Sequence, residues 1–120
     1  MLKKHKTGIV WAIIVVTLMI AAWYVSKYHY QLMLIQGDSM TPTYHNLQLV
    51  VLDKHDREYA VGDVIAFRCD GLDCVLVKRI AEITSDNRYY VLGDNQSESV
   101  DSRDERVGYV EREDIVGYVL

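Results

Sequence analysis

The sequence lacks the features that divide a chain into several units. It contains one proline, Pro42, and no internal repeat, low-complexity tract or linker rich in Pro, Gly and Ser. Residues 28–120 also lack a basic cluster, since they hold nine Lys or Arg against seventeen Asp or Glu. These absences predict one small domain that has no surface for nucleic acid.

Cysteine is scarce as well, with only Cys69 and Cys74. Their close spacing suits a disulfide at the mouth of a short hairpin, provided that this part of the chain lies outside a membrane. Two free thiols are the alternative interpretation. None of the histidines lies near them in the sequence, so a metal site is the weak alternative and we expect none. We also expect no cofactor.

One long apolar run lies near the N-terminus. Residues 8–25 carry no charge, and a helix of that length spans about 27 Å, close to the hydrocarbon thickness of a bilayer. Lys3, Lys4 and Lys6 precede the run, which places the N-terminus in the cytoplasm by the positive-inside rule. A cleavable signal peptide is the competing interpretation, but no small-x-small cleavage pattern follows the run. We therefore predict three parts at the plasma membrane: a cytoplasmic basic tail (1–7), a transmembrane helix (8–25) and an extracytoplasmic domain (26–120).

The rest of the sequence predicts strands rather than helices. Apolar patterns bounded by turn residues place strands at residues 31–36, 47–53, 64–68, 75–84, 88–92 and 107–111. Asp70-Gly71 is a turn signal that pairs the third strand with the fourth. We expect a mostly β fold, in which the N-terminal helix is followed by a small, closed or nearly closed β-domain.

The most distinctive motif is Gly-Asp-Ser-Met-Thr-Pro-Thr at residues 37–43. Gly37 and Pro42 predict a tight turn that exposes the Ser39 hydroxyl and points backbone N–H groups at an incoming carbonyl. A polar turn between strands is the simpler interpretation of such a motif on its own. A catalytic interpretation needs a base elsewhere in the chain.

Lys78 is the best candidate for that base because it interrupts an apolar strand. Alternation of side chains places it on the same strand face as Leu76 and Ile80. Burial on that face would lower the pKa of the amine and keep part of it neutral, as a general base requires. The alternative is a lysine whose stem lies along the strand while its amine stays in water.

A polar segment at residues 93–103 completes the set of candidates. Ser99 is suited to orient a neutral lysine amine by a hydrogen bond. Asp101 and Arg103, two residues apart, are suited to pair and hold the shape of the segment. A solvated surface loop is the alternative.

Four segments, in order, resemble the sequence blocks of bacterial type I signal peptidases: GDSMTPT, GDVIAFR, VKRI and GDNQSESVDSR. The resemblance covers nearly the whole chain. It implies that Ser39 is the nucleophile, that Lys78 is the general base and that Ser99 orients the lysine. It also implies that the Ser39 backbone N–H is the oxyanion donor. Further positions would shape the site or the substrate cleft: Gly37, Asp38, Met40, Pro42, Arg79, Asp94, Asn95, Asp101 and Arg103.

The same resemblance implies what the protein acts on. The expected substrates are signal peptides of secretory pre-proteins that end in small-x-small, such as Ala-x-Ala, and that bind as an added strand. The expected setting is the lipid bilayer, and we expect a monomer.

The chain departs from the signal peptidase pattern in two places. Many bacterial members carry a serine two residues before the nucleophile, where this chain has Gly37, so the oxyanion hole lacks that hydroxyl. Only a short segment separates Lys78 from Asp94, where most bacterial relatives insert a second β-region. We therefore expect a minimal catalytic core, with either a general or a restricted set of substrates.

Two other functions stay open. Self-cleaving repressor-type proteases share the Ser–Lys chemistry, but they predict a DNA-binding segment and have no use for an anchor. A membrane-anchored binding or scaffold module of the same fold would need no catalysis. The presence of Ser39, Lys78 and Ser99 argues against that module.

Overall fold

The computed structural model describes residues 2–120, with side chains from residue 5 onward. One helix, α1 (Leu2–Tyr28), is followed by six strands. The strands are β1 (Tyr30–Leu34), β2 (Leu49–Asp53), β3 (Val64–Cys69), β4 (Cys74–Ile83), β5 (Tyr89–Leu92) and β6 (Ile115–Val119).

Helix α1 stands apart from the β-domain. Its segment His5–Tyr28 is long and apolar enough to cross a membrane, and none of its apolar window is buried by the rest of the protein. Membrane anchors and signal sequences share this length and composition. Of the predicted basic tail, Met1 and the side chains of Lys3 and Lys4 lie outside the described residues.

The strands form one antiparallel sheet in the order β1-β2-β6-β3-β4-β5. The predicted mostly β fold, with one N-terminal helix, is confirmed. Across residues 2–120 the sheet stays open, because β1 and β5 occupy its two edges and do not pair with each other.

One predicted strand is wrong and one strand was missed. Residues 107–111 form no named strand, and only Val110 makes an isolated bridge, to Tyr89. The missed strand β6 pairs with both β2 and β3 in the middle of the sheet. Gly117 makes the sequence of β6 less typical of a strand. The sheet nevertheless needs a glycine at this position, because a Cβ would lie 2.9 Å from Asp53 O.

The core lies on both faces of β3, whose side chains alternate between two buried clusters. Val64 and Ala66 belong to one cluster, and Ile65 and Phe67 belong to the other. Burial on both faces explains why β3 is a continuous apolar run rather than an alternating one.

Candidate active site

Ser39 lies in a tight turn that follows β1. Gly37 has a φ of +87°, which favours glycine. The backbone N–H and the hydroxyl of Thr41 donate to Asp38 O at 3.2 and 2.9 Å, closing the turn. Met40 is 1% exposed and anchors the turn in the core, whereas Pro42 is exposed after a cis peptide bond. The turn is therefore fixed on one side of Ser39 by a buried side chain.

Lys78 extends from the middle of β4 to Ser39. Its amine Nζ donates a hydrogen bond to Ser39 Oγ at 2.7 Å, and the residue is 3% exposed. Its register partner on β3 is Ile65, which is fully buried. Lys78 is thus enclosed in the protein and does not extend its amine into water.

Burial lowers the pKa of Lys78 below its ordinary value of 10.5, because the charged amine is poorly solvated there. The negative charge of Asp101 opposes this effect and raises the pKa, and Cys74 acts in the same direction. Desolvation is the larger influence, so a greater share of the amine is neutral than in a solvated lysine. A neutral amine against a serine hydroxyl is the arrangement that general-base activation needs.

The Ser39–Lys78 pair lines a cleft of about 230 Å³. One wall is the segment from Met33 to Gln36, and the other is the first half of β4 from Cys74 onward. A larger cavity of about 980 Å³ lies between α1 and the β1–β2 hairpin, but neither Ser39 nor Lys78 lines it. The smaller cleft is the one that contains the hydrogen-bonded serine–lysine pair.

Asp101 is the centre of the polar segment 93–103. It is 1% exposed and accepts hydrogen bonds from Arg103 Nε, Ser99 Oγ and Gly93 N–H at 2.8, 2.8 and 3.0 Å. Burial alone would raise the pKa of Asp101, but these donors, led by Arg103, lower it to about 2. The predicted pairing of Asp101 with Arg103 is present in the structure.

In the described part of the chain, Ser99 does not form the hydrogen bond with Lys78 that the sequence predicted. Among the hydrogen bonds of the described residues, its hydroxyl donates to Asp101 Oδ2 rather than to Lys78 Nζ. The charge of Asp101 raises the pKa of Lys78, so the carboxylate that Ser99 contacts is electrostatically coupled to the lysine. The direct contact is corrected on this geometry, because a serine hydroxyl beside a buried carboxylate donates to the stronger acceptor.

Asp94 and Asn95 connect this segment to the Ser39 turn. Asp94 accepts two hydrogen bonds from Arg79, both at 2.9 Å, and another from the Thr43 hydroxyl. The Asn95 backbone N–H donates to Ser39 O at 2.8 Å. The Asn95 side chain donates to Asp38 O and to Thr41 Oγ1 at 3.1 and 3.0 Å. The segment therefore holds the turn from two adjacent residues.

A serine turn, a buried lysine against its hydroxyl and a mostly β sheet together resemble one group of known proteins. The Peptidase S24-like family matches residues 14–119. The chain belongs to the Peptidase S24-like family. No curated protein matches the chain significantly.

Membership in the Peptidase S24-like family supports the wider group of Ser–Lys peptidases that the sequence motifs indicated. It supports a serine protease fold with the Ser–Lys arrangement described above. The match is no more specific than that group, so it does not distinguish signal peptidases from self-cleaving proteases.

The backbone N–H groups of Gly37 and Ser39 differ in whether they already donate a hydrogen bond within this Peptidase S24-like chain. This difference decides which of the two can donate to an oxyanion. Gly37 N–H donates to Asn46 Oδ1 at 2.8 Å and is engaged there. In the part of the chain that the structure describes, Ser39 N–H has no hydrogen-bond acceptor. Of these two backbone donors, only Ser39 N–H is available to a developing oxyanion.

The two cysteines are free thiols in the structure, and the disulfide considered from the sequence is not formed. Cys69 is buried and its Sγ donates to Arg106 O at 3.4 Å. Cys74 is exposed. The two residues nevertheless face each other as register partners at the end of the β3–β4 pair.

Two contributors to the site were missed from the sequence. Asn46 holds Gly37, and Thr43 holds Asp94, although neither has a chemical feature that separates it from ordinary loop residues. Leu47, which follows Asn46, has a φ of +66°, and a leucine gives no sequence signal for such a turn. Such contacts depend on how the loop folds back and not on residue type.

Proposed function

We propose that this protein is a membrane-anchored serine endopeptidase that removes signal peptides after a small-x-small motif. Ser39 is the nucleophile and Lys78 is the general base. The observation that carries the proposal is the 2.7 Å hydrogen bond between Lys78 Nζ and Ser39 Oγ, made by a lysine that is 3% exposed beside an open cleft.

The first half of the reaction forms an acyl-enzyme. Neutral Lys78 accepts the Ser39 proton, and Oγ attacks the carbonyl carbon of the scissile bond. Ser39 N–H donates to the oxyanion of the tetrahedral intermediate. The protonated Lys78 then gives its proton to the leaving amine, which departs as the N-terminus of the mature protein.

The second half releases the signal peptide. Lys78 is neutral again and removes a proton from a water molecule, which attacks the acyl carbon on Ser39. The same lysine returns the proton to Ser39 Oγ as the ester breaks. One titrating group therefore serves both halves, and its pKa must lie close to the working pH.

The proposed location depends on α1. Its apolar residues are exposed to the outside of the protein, as with Trp11 at 62% and Leu18 at 64%. A bilayer would cover these side chains, whereas water would not. We propose a single-pass anchor with the lysine-rich N-terminus in the cytoplasm and the β-domain on the outer side, which keeps the predicted division at residues 7 and 25.

Substitution of the reacting pair tests the mechanism. In detergent or liposomes, Ser39→Ala and Lys78→Ala should each lower cleavage of a small-x-small pre-protein by at least about 10³-fold, because each removes one half of a unit that acts together. Ser85→Ala and Lys54→Ala are the matched controls, since both residues lie away from the cleft. Processing at the wild-type rate by either site variant would exclude the mechanism.

Activity should rise with pH. Only the neutral amine acts as a base, so the rate should increase through the pKa of Lys78, which lies below 10.5 because of burial. The measurement is the cleavage rate against pH for the wild-type enzyme. A rate that stays constant down to pH 4 would contradict a lysine base.

Self-cleavage is the second candidate function, because the Peptidase S24-like match also suits it. It predicts that the purified protein alone breaks at an internal bond and that Ser39→Ala stays intact. Signal peptidase activity predicts that the intact wild-type chain cuts added pre-protein. Mass analysis of the enzyme and of the substrate in one reaction separates these outcomes. A wild-type chain that cuts neither itself nor the substrate favours the scaffold module.

A further inference from the structure

A pair of thiols lies at the end of the β3–β4 pair, and one of them, Cys74, lines the active-site cleft. Cys69 ends β3, Cys74 begins β4, and a 3-10 turn at Asp70–Leu72 connects them. The two cysteines are direct partners in the antiparallel register. Both are reduced in the structure.

The register brings the two side chains within reach of each other. Directly opposed residues of an antiparallel pair have Cβ atoms about 4.5–5.5 Å apart and point to the same face of the sheet. A disulfide needs Cβ atoms about 3.5–4.5 Å apart. A small movement of the strand ends therefore suffices for Cys69 and Cys74 to bond.

The two thiols differ in access. Cys69 is 5% exposed, and its Sγ donates to Arg106 O, so a bulky reagent does not reach it. Cys74 is exposed and lines the same cleft as Ser39 and Lys78. It is four residues from Lys78 on β4 and on the same face.

We propose that Cys74 and Cys69 form a thiol-modification site at the cleft, in which Cys74 takes up a thiol from a low-molecular-weight disulfide and Cys69 displaces it. The site goes beyond the proposed peptidase activity. Cys74 is the residue attacked from solution, and Cys69 is the resolving thiol.

The chemistry balances in two exchange steps. The Cys74 thiolate attacks a disulfide R–S–S–R, which forms Cys74–S–S–R and releases one thiolate R–S⁻. The Cys69 thiolate then attacks Cys74 Sγ, which forms the Cys69–Cys74 disulfide and releases the second R–S⁻. The protein loses two protons and two electrons, and the electrons reduce one R–S–S–R to two thiols.

The resolving step has a consequence for the cleft. A group attached to Cys74 occupies space that the substrate needs, because Cys74 is part of the cleft wall. The internal disulfide draws the Cys74 sulfur to β3 and removes the attached group. Cys69 thus keeps the cleft free of adducts and explains why a buried cysteine faces an exposed one.

The test treats the full-length protein in detergent with glutathione disulfide and measures intact mass and peptide maps. The wild type should lose two hydrogens, with the bond mapped between Cys69 and Cys74, and should carry little glutathione. Cys69→Ala should instead carry one stable glutathione on Cys74. Cys74→Ser should stay unmodified because Cys69 is buried. These mass readouts do not depend on peptidase activity, so they stand even if the proposed function fails.

Several outcomes would overturn the proposal. A wild type that accumulates glutathione on Cys74 as Cys69→Ala does would show that Cys69 does not resolve the adduct. A wild type that keeps both thiols after long exposure would show that no such site exists. Modification of Cys69 in Cys74→Ser would reverse the assigned order. A thermal unfolding curve for Cys69→Ala checks its fold, and the wild-type arm decides the question even if that variant unfolds.

Where cleavage can be measured, the same samples report on the cleft. Cys69→Ala carrying glutathione should cleave at least about tenfold more slowly than before treatment, and dithiothreitol should restore the rate. The wild type should keep its rate throughout. Equal cleavage rates with and without the glutathione adduct would show that modification of Cys74 does not affect the cleft.

Discussion

At the scale of a single residue, the burial of Lys78 favours its proposed role as a base but lowers the stability of the folded protein. The amine is buried between β4 and the Ser39 turn, and burial lowers its pKa. The same burial disfavours the folded state wherever the lysine is protonated, and each pKa unit corresponds to about 1.4 kcal/mol. The lysine that we propose as the base for Ser39 is therefore a destabilising residue at neutral pH.

Replacing this lysine should stabilise the domain and abolish activity. Lys78→Met keeps an unbranched side chain of similar length and removes the buried charge, so its free energy of unfolding at pH 7 should exceed that of the wild type by about 1 kcal/mol or more. Denaturant unfolding measures the difference, and Lys54→Met is the control for a partly exposed lysine.

The sign of the pH dependence follows from the lowered pKa. Folded Lys78 binds its proton less readily than the unfolded chain does, so wild-type stability rises as pH goes from the lowered pKa towards 10.5. The difference in free energy of unfolding between Lys78→Met and the wild type should accordingly become smaller between the lowered pKa and pH 10.5. An advantage that is absent at pH 7, or that grows with pH, would contradict the desolvation argument.

Segment 93–103 determines the geometry of the site at the scale of an element. It approaches the Ser39 turn so closely at Gly93 that an added Cβ would lie 2.6 Å from Ser39 O and would also meet the Ser99 hydroxyl. Only glycine fits between the Ser39 turn and the Ser99–Asp101 pair. The segment is therefore a structural support for Ser39 rather than a solvated loop.

Gly93→Ala tests this close approach. The methyl group must displace the turn or the segment, which should lower stability by about 1–3 kcal/mol. A shift of Ser39 by about 1 Å should lower the cleavage rate by about 10²-fold. Gly8→Ala is the matched control, because no atom lies within 4 Å of its added Cβ. Equal thermal midpoints for Gly93→Ala and the wild type would contradict the contact.

At the scale of the whole molecule, the protein consists of a bare apolar helix and a small β-domain with its own two-sided core. The helix ends at Tyr28 and β1 begins at Tyr30, so very little chain separates them. If α1 is an anchor, the short connection keeps the cleft near the bilayer surface. The position of the site would then follow from the connection and not from a separate docking element.

Membrane extraction tests the anchor. The wild type should stay with membranes in an alkaline carbonate wash and leave them only in detergent. Val15→Arg together with Met19→Arg places two charges in the apolar run, each costing about 2.5–3.5 kcal/mol at the centre of a bilayer, and should release the protein. Val15→Leu together with Met19→Leu is the control. Release of the wild type by carbonate would contradict a transmembrane helix.

Local pattern alone predicted α1, five of the six strands and the residue types that carry the chemistry. The length of an apolar run and the alternation of apolar and polar residues along a strand are local properties, so they can be recognised directly in the sequence. Strand β6 was missed because its glycine weakens the local signal, while its place in the sheet depends on how closely β2 approaches.

Contacts between distant residues needed the tertiary structure. The sequence supplied a serine and a lysine as candidates, but only the fold brings Ser39 Oγ within 2.7 Å of a Lys78 amine that lies 39 positions away and is shielded from water. The fold also decided that Ser99 donates to Asp101, because the loop closes around that buried carboxylate. Sequence determines which groups are present, and packing determines their distances and their solvation, on which the pKa depends.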